Sequence, residues 1–150
     1  MAELSIFSDE YFMQQAYKQA LYAREEGEIP IGAVVVCNNK IIARAYNQTE
    51  KLQDVTAHAE ILAITAASNF LGNKYLNACT LYVTVEPCVM CAGALFWAQL
   101  QRIVFATPDP KGGYRRFGQQ LLHPRTEMES GILAHECANL MTEFFLNKRN

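Results

Sequence analysis

The sequence predicts a single α/β domain over residues 1–150, built as three α/β/α layers around a mixed central β-sheet. Three observations lead there. The continuous apolar run Ile31-Gly32-Ala33-Val34-Val35-Val36 has the character of a strand buried on both faces. A strand-like segment (Thr80 to Val85), a helical one (Cys88 to Leu100) and a second strand-like one (Arg102 to Ala106) follow one another at the spacing of a parallel crossover. Helical apolar patterns stand at both ends of the chain, supplying cover for the sheet.

Taken in order, Ser8 followed by Asp9 and Glu10 reads as a helix start. Phe12, Ala16, Ala20 and Ala23 then recur at helical spacing until Gly27, predicting a helix from Asp9 to Glu26. Asn38-Asn39 tolerate the backbone of a tight turn and join the apolar run to Lys40 through Tyr46 as a β-hairpin. A polar loop from Gln48 to Val55 precedes helical composition from His58 to Ser68. After the crossover, Thr107 to Arg125 carries three prolines and three glycines and reads as a long loop, of the kind that is functional or mobile in compact domains. Leu133 to Asn147 closes the chain as an amphipathic helix.

Composition excludes several classes. There are 150 residues, about half of them hydrophobic, enough for one core. Neither a run of apolar residues long enough to span a membrane nor a signal peptide is present, so a cytoplasmic location is expected. Five cysteines, with Cys37, Cys79 and Cys137 isolated among apolar neighbours, argue against a disulfide framework; those three read as small buried hydrophobes. A net charge of −2 disfavours a protein that coats nucleic acid indiscriminately. Locally the balance reverses, because Arg102, Lys111, Arg115, Arg116 and Arg125 face only Asp109 between Leu100 and Arg125. A local basic patch that includes Arg115 and Arg116 is therefore expected, its arginines being candidate contacts should the partner prove to be RNA.

The chemistry resides in two motifs, Thr56-Ala57-His58-Ala59-Glu60 and Glu86-Pro87-Cys88-Val89-Met90-Cys91. They supply three good zinc ligands, His58, Cys88 and Cys91, and one carboxylate, Glu60. A structural zinc site is closed by four protein ligands, whereas a catalytic one holds three and leaves a position for water. Cys88 and Cys91, at i and i+3 after Pro87, share one face of a helix start, whose free N–H groups favour thiolate. A Cys-x-x-Cys pair also serves redox and structural zinc sites, but the first wants a thioredoxin-like placement and the second a further ligand pair. Zinc, one ion per subunit, would activate water toward an electron-poor ring carbon bearing an amino group. Glu60 would shuttle the proton from that water to the ring and to the departing amine.

His-x-Glu followed by Pro-Cys-x-x-Cys is a known signature of zinc-dependent nucleobase deaminases. The chain resembles the tRNA-specific adenosine deaminases of bacteria over nearly its whole length. The resemblance runs through Ile29 to Val36, Tyr46-Asn47, both motifs with their flanks (Leu81 to Ala94) and Gly131 to Cys137. It implies the cytidine-deaminase-like fold, conversion of adenosine to inosine at the anticodon wobble position, a tRNA anticodon stem-loop as partner, and a homodimer. It further implies that the Asn47 amide bonds the purine and that the Ala59 N–H helps orient it. By the same resemblance, Asp109 and Lys111 touch the nucleotide beside the target and Phe145 stacks near the RNA, although core packing of an amphipathic helix would equally explain Phe144 and Phe145. Where the family commonly has a Gly-Ala-Gly-Ser-like stretch after Asp-x-Lys, this chain reads Gly112-Gly113-Tyr114-Arg115-Arg116-Phe117.

Two alternatives stand beside this reading. A free-base enzyme such as guanine deaminase shares these motifs and often an aromatic-Trp-Ala segment like Phe96-Trp97-Ala98; by itself Trp97 reads as a core residue. A non-catalytic RNA-binding module with zinc kept for folding is disfavoured by Glu60 and by the missing fourth ligand.

Overall fold

The computed structural model describes residues 7–149. Helix α1 (Asp9–Glu25) begins where Ser8 Oγ accepts the Tyr11 N–H at 3.1 Å, with Asp9 and Glu10 at the positive end of the helix dipole. It ends one residue earlier than the sequence pattern suggests, ahead of Gly27 at φ +77°. Strands β1 (Gly32–Cys37) and β2 (Lys40–Tyr46) form the expected hairpin. Asn38 and Asn39 take φ of 53° and 62°, the left-handed pair that suits a two-residue turn between twisted strands. Helix α2 (Ala59–Leu71) runs a turn further than its composition indicates, to Gly72 in the left-handed conformation. Strand β3 (Cys79–Val85), helix α3 (Val89–Ala98) and strand β4 (Arg102–Thr107) make the crossover, with β3 and β4 parallel.

The sheet order is β2-β1-β3-β4-β5, antiparallel at its first two pairings and parallel at the last two, hence mixed as expected. The fifth strand, β5 (Glu127–Ser130), is absent from the sequence reading. Its residues, Glu-Met-Glu-Ser, carry no continuous apolar run, because an edge strand needs only one half-buried side chain. Helix α4 (Ala134–Arg149) completes the chain.

Alternation along the strands divides the core in two. Ala33, Val35, Leu81, Val83, Ile103 and Phe105 face α2 and α3, while Val34, Val36, Tyr82, Val104 and Ala106 face α1 and α4. The helices therefore cover both faces. Close approach of α1 depends on Gly32, where a Cβ would collide with the backbone at Ala16 and Ala20. On α3 the inward positions are Cys91, Ala92, Leu95 and Ala98, at helical spacing, which turns Trp97 outward. Trp97 is 72% exposed and is not a core residue. The Thr107 to Arg125 segment is more ordered than its composition suggests. It holds 3-10 turns at Tyr114–Arg116 and Gln119–Leu121, and it sends Tyr114 and Leu122 into the core. All five cysteines are free, with Cys79 and Cys137 buried and Cys37 half-buried.

The layers are tied at one end by Arg102. Its guanidinium makes bonds of 2.8 and 2.7 Å to the Asp9 carboxylate and 2.6 Å to Glu129, while the Tyr82 hydroxyl donates to Asp9 at 2.6 Å. The Arg102 bonds hold the Asp9 carboxyl below its usual range against the opposing effect of burial. Asp9→Asn should cost about 1–2 kcal/mol, the low end for charge-assisted bonds because the group is partly exposed. A depressed folded-state pKa stabilises fully above the unfolded value of about 3.9 and is lost as pH falls through the folded value. Urea unfolding should therefore show a constant gap between wild type and variant above about pH 5 that narrows on acidification.

Candidate active site

The site lies beyond the carboxyl ends of the parallel strands β3 and β4, where open α/β sheets leave a crevice. Two helices begin there. His58 is the N-cap residue of α2 and Cys88 that of α3, both in extended backbone conformation. The Cys88 Sγ accepts the Cys91 N–H at 3.5 Å, so the thiol takes the place that a Ser or Asp oxygen occupies at an ordinary helix cap. Small residues, Ala59, Ala63, Ala67, Ala92 and Ala98, belong to the same core cluster and let α2 and α3 pack side by side.

Among the described residues, His58, Cys88 and Cys91 form the one group suited to a metal ion, with donor atoms within 4.8 Å of one another. His58 Nδ1 lies 3.6 Å from Cys88 Sγ and 3.5 Å from Cys91 Sγ. Tetrahedral zinc with Zn–S of about 2.3 Å and Zn–N of about 2.0–2.1 Å requires N···S separations of about 3.5 Å. The three side chains fit that ion. Hydrogen bonds from Cys91 and His58 pull the Cys88 thiol down to about 4, against burial. The Cys91 thiol is pushed up by its bond to Cys88 and by burial. A thiolate is thus held within the pair, and a divalent cation would deprotonate the second sulfur. The hydrogen bond with Cys88 likewise raises His58.

Glu60 stands in the first turn of α2 and is 3% exposed. Burial pushes its carboxyl up to about 7, and its Oε1 is buried without a hydrogen-bond partner. A carboxyl of that affinity can hold or release a proton near neutral pH. The other buried orphan oxygen among the described residues is Asn47 Oδ1. Asn47 follows β2, its N–H bonded to Ile31 O at 3.0 Å and its Nδ2 to Ile29 O at 3.4 Å. Ala59 is the first residue of α2, and its N–H is among those a helix start leaves without an intrahelical acceptor.

These groups meet at a cavity of about 610 Å³. His58, Glu60 and Cys88 form its floor, Ile29 and Ile31 one wall, and Asp109, Lys111 and Phe145 contribute to the rest. Asn47 is attached to the Ile29–Ile31 wall without lining the cavity itself. Phe144 is buried and Phe145 is 41% exposed, so the aromatic pair divides between core and cavity.

Arg115 and Arg116 do not reach the cavity. Arg116 donates to Lys111 O at 2.8 Å and remains exposed. Arg115 instead pairs at 3.0 Å with Glu86, a residue quoted in the zinc motif but given no role by the sequence reading. Burial works against a charge on Glu86, yet the bonds from Arg115 and from the Asp109 and Arg115 N–H groups outweigh it and hold the carboxyl below its usual range. The signal in the sequence was an acid placed between an apolar strand and a Pro-Cys helix start. Glu28 was also missed. It is 1% exposed and accepts the Glu50 and Lys51 N–H groups at 3.0 and 2.7 Å, pinning the loop after Asn47.

The pattern of the cytidine and deoxycytidylate deaminase zinc-binding region matches residues 7–107. The chain belongs to that deaminase family. A tRNA-specific adenosine deaminase of Bacillus subtilis (strain 168) is 45% identical over 146 residues, covering 94% of this chain and 91% of that protein. One of Agrobacterium fabrum is 43% identical over 93% of this chain and 95% of its own length. A solved structure from studies of A-to-I editing by tRNA:A34 deaminases at the wobble position superposes with a TM-score of 0.81 at 43% identity, covering 87% of this chain and 98% of that one. A guanine deaminase from Bacillus subtilis gives a TM-score of 0.66 at 36% identity over 74% of this chain and 70% of its own.

The deaminase is of a zinc-binding family, and His58, Cys88 and Cys91 are positioned to hold the ion. Replacing Cys91 by Ser should cut zinc content from about one ion per chain to a small fraction, measured by elemental analysis of purified protein. Retention of full zinc in that variant would remove Cys91 from the ligand set.

Proposed function

We propose that this deaminase hydrolyses adenosine to inosine at the wobble position of a tRNA anticodon loop. The observation that carries the reading is one cavity floored by His58 and Cys88 of the metal triad and by the buried Glu60 carboxyl, and walled by a cation and an aromatic ring, Lys111 and Phe145. The tRNA-specific relatives support it over nearly the full length of the chain. Extruding an unpaired loop base costs little, which suits an anticodon target. Among the described residues no helix is long and apolar enough to cross a membrane, and a tRNA substrate suits a cytoplasmic enzyme.

Zinc held by His58, Cys88 and Cys91 supplies a Lewis acid beside which water becomes nucleophilic near neutral pH. Glu60 takes a proton from the attacking water and delivers it to the ring nitrogen next to the attacked carbon. It then takes the second proton from the hydroxyl now bonded to that carbon and passes it to the exocyclic amine, which leaves as ammonia while the ring keeps the oxygen as a carbonyl. The Asn47 amide, set on the Ile29–Ile31 wall, and the Ala59 N–H at the start of α2 orient the purine. Asp109, Lys111 and Phe145 receive the neighbouring nucleotide, and Arg116 adds positive charge outside the cavity.

Glu60→Ala should keep its zinc and lose turnover by about 10²–10⁴-fold on an adenosine-containing anticodon stem-loop. Inosine from the RNA but no xanthine from free guanine is the expected product pattern; xanthine alone would move the enzyme to purine salvage.

The outward face of α3, with Val89, Gly93 and Trp97 exposed, is the surface on which we place a homodimer. Trp97→Glu should convert the dimer to monomer in sedimentation analysis. A wild-type monomer at micromolar concentration would overturn this part of the reading.

A further inference from the structure

The sequence around Arg115 invites an RNA contact, but its geometry serves something else. Glu86 closes β3, with its side chain only 3% exposed. One of its oxygens accepts the Asp109 N–H at 3.1 Å and the Arg115 guanidinium at 3.0 Å; the other accepts the Arg115 N–H at 3.0 Å. The guanidinium also lies 4.9 Å from the centre of the Phe105 ring. Next to it, the Tyr114 N–H donates to Pro87 O at 2.8 Å and the Tyr114 ring is buried. Gly113 passes so close to the Glu86 carboxylate that a Cβ there would collide with it. Asp109, fixed by this bond, turns its own Oδ1 to the Lys111 and Gly112 N–H groups. The segment that carries Asp109 and Lys111 is thereby folded onto the residue two positions before Cys88.

We propose that Glu86 and Arg115 form a half-buried clamp that holds the Asp109–Gly112 wall over the metal floor, so that Arg115 is a positioning residue and not a phosphate contact. A buried carboxylate without a partner is costly, and Arg115 is its compensating charge. A guanidinium already paired with a buried carboxylate, though itself 32% exposed, contributes less to counterion release on RNA binding than an unpaired one. Arg116 is exposed, donates to Lys111 O, lies 5.6 Å from the centre of the Phe117 ring and pairs with no carboxylate among the described residues, so its charge is left for the surface. The Gly-Gly-Tyr-Arg-Arg-Phe stretch thus combines one paired, half-buried arginine and one exposed arginine side by side.

The proposal rests on the RNA reading only for the choice of substrate. The test is a double-mutant cycle of Arg115→Met and Glu86→Gln on whichever substrate the zinc-loaded wild type deaminates, so absence of RNA turnover sinks the functional reading while the cycle still tests the clamp. Each single variant should keep its zinc and lose between about ten- and a hundredfold in kcat/KM through misplacement of the wall. The double variant should be no worse than the poorer single. Arg115→Lys keeps the charge without the planar fork and should recover little of the loss; it also serves if Arg115→Met does not fold. On RNA, the dependence of log KM on log salt should keep its slope in the Arg115 variants and fall by about one in Arg116→Met. Additive losses, full rescue by Arg115→Lys, or a slope reduced by about one on replacing Arg115 would each overturn the clamp.

Discussion

The constraint on which the rest of this molecule depends is the side-by-side meeting of two helix starts at one edge of the sheet. An imidazole from α2 and two sulfurs from α3 must arrive within a few ångströms of one another. No single element could supply that geometry, since the ligands come from segments thirty residues apart. The alanines between α2 and α3 permit the approach, the β3–β4 pairing fixes the level at which α3 begins, and Gly32 lets α1 close the opposite face without displacing the sheet.

Electrostatics follow from that placement. Both helix starts direct unpaired N–H groups toward the same volume, which favours thiolate at Cys88. The same crowding leaves Glu60 dry, and desolvation raises its proton affinity where the helix dipole alone would lower it. The two acids of the site are consequently set apart. Glu60 has no partner for one oxygen and is available for proton transfer, whereas both oxygens of Glu86 are engaged and tie down backbone.

Much of this was legible because local chemistry and global fold agree. Helix-capping residues, an Asn-Asn turn and a buried apolar strand each determine their own element, and the ligand spacing encodes the metal floor directly. What escaped was governed by long-range partners. Strand β5 exists only because β4 offers an edge, so its four residues carry no pattern of their own. Arg115 looked like a surface cation because nothing within a few positions of it announces Glu86, which is twenty-nine residues away. Trp97 looked like core because hydrophobicity does not specify which side of α3 it occupies, and inward positions there are filled by smaller residues. Composition likewise made 107–125 a loop, and only the burial of Tyr114 and Leu122 reveals that it is anchored.

The sheet ends on β5, whose Glu127 and Glu129 side chains are exposed along its outer margin. A strand approaching that margin from another molecule would have to bring its backbone alongside carboxylates, one of which is already committed to Arg102. The margin is also only four residues long, too short to template an extended partner. At this margin, therefore, the sheet offers little on which a second chain could extend it.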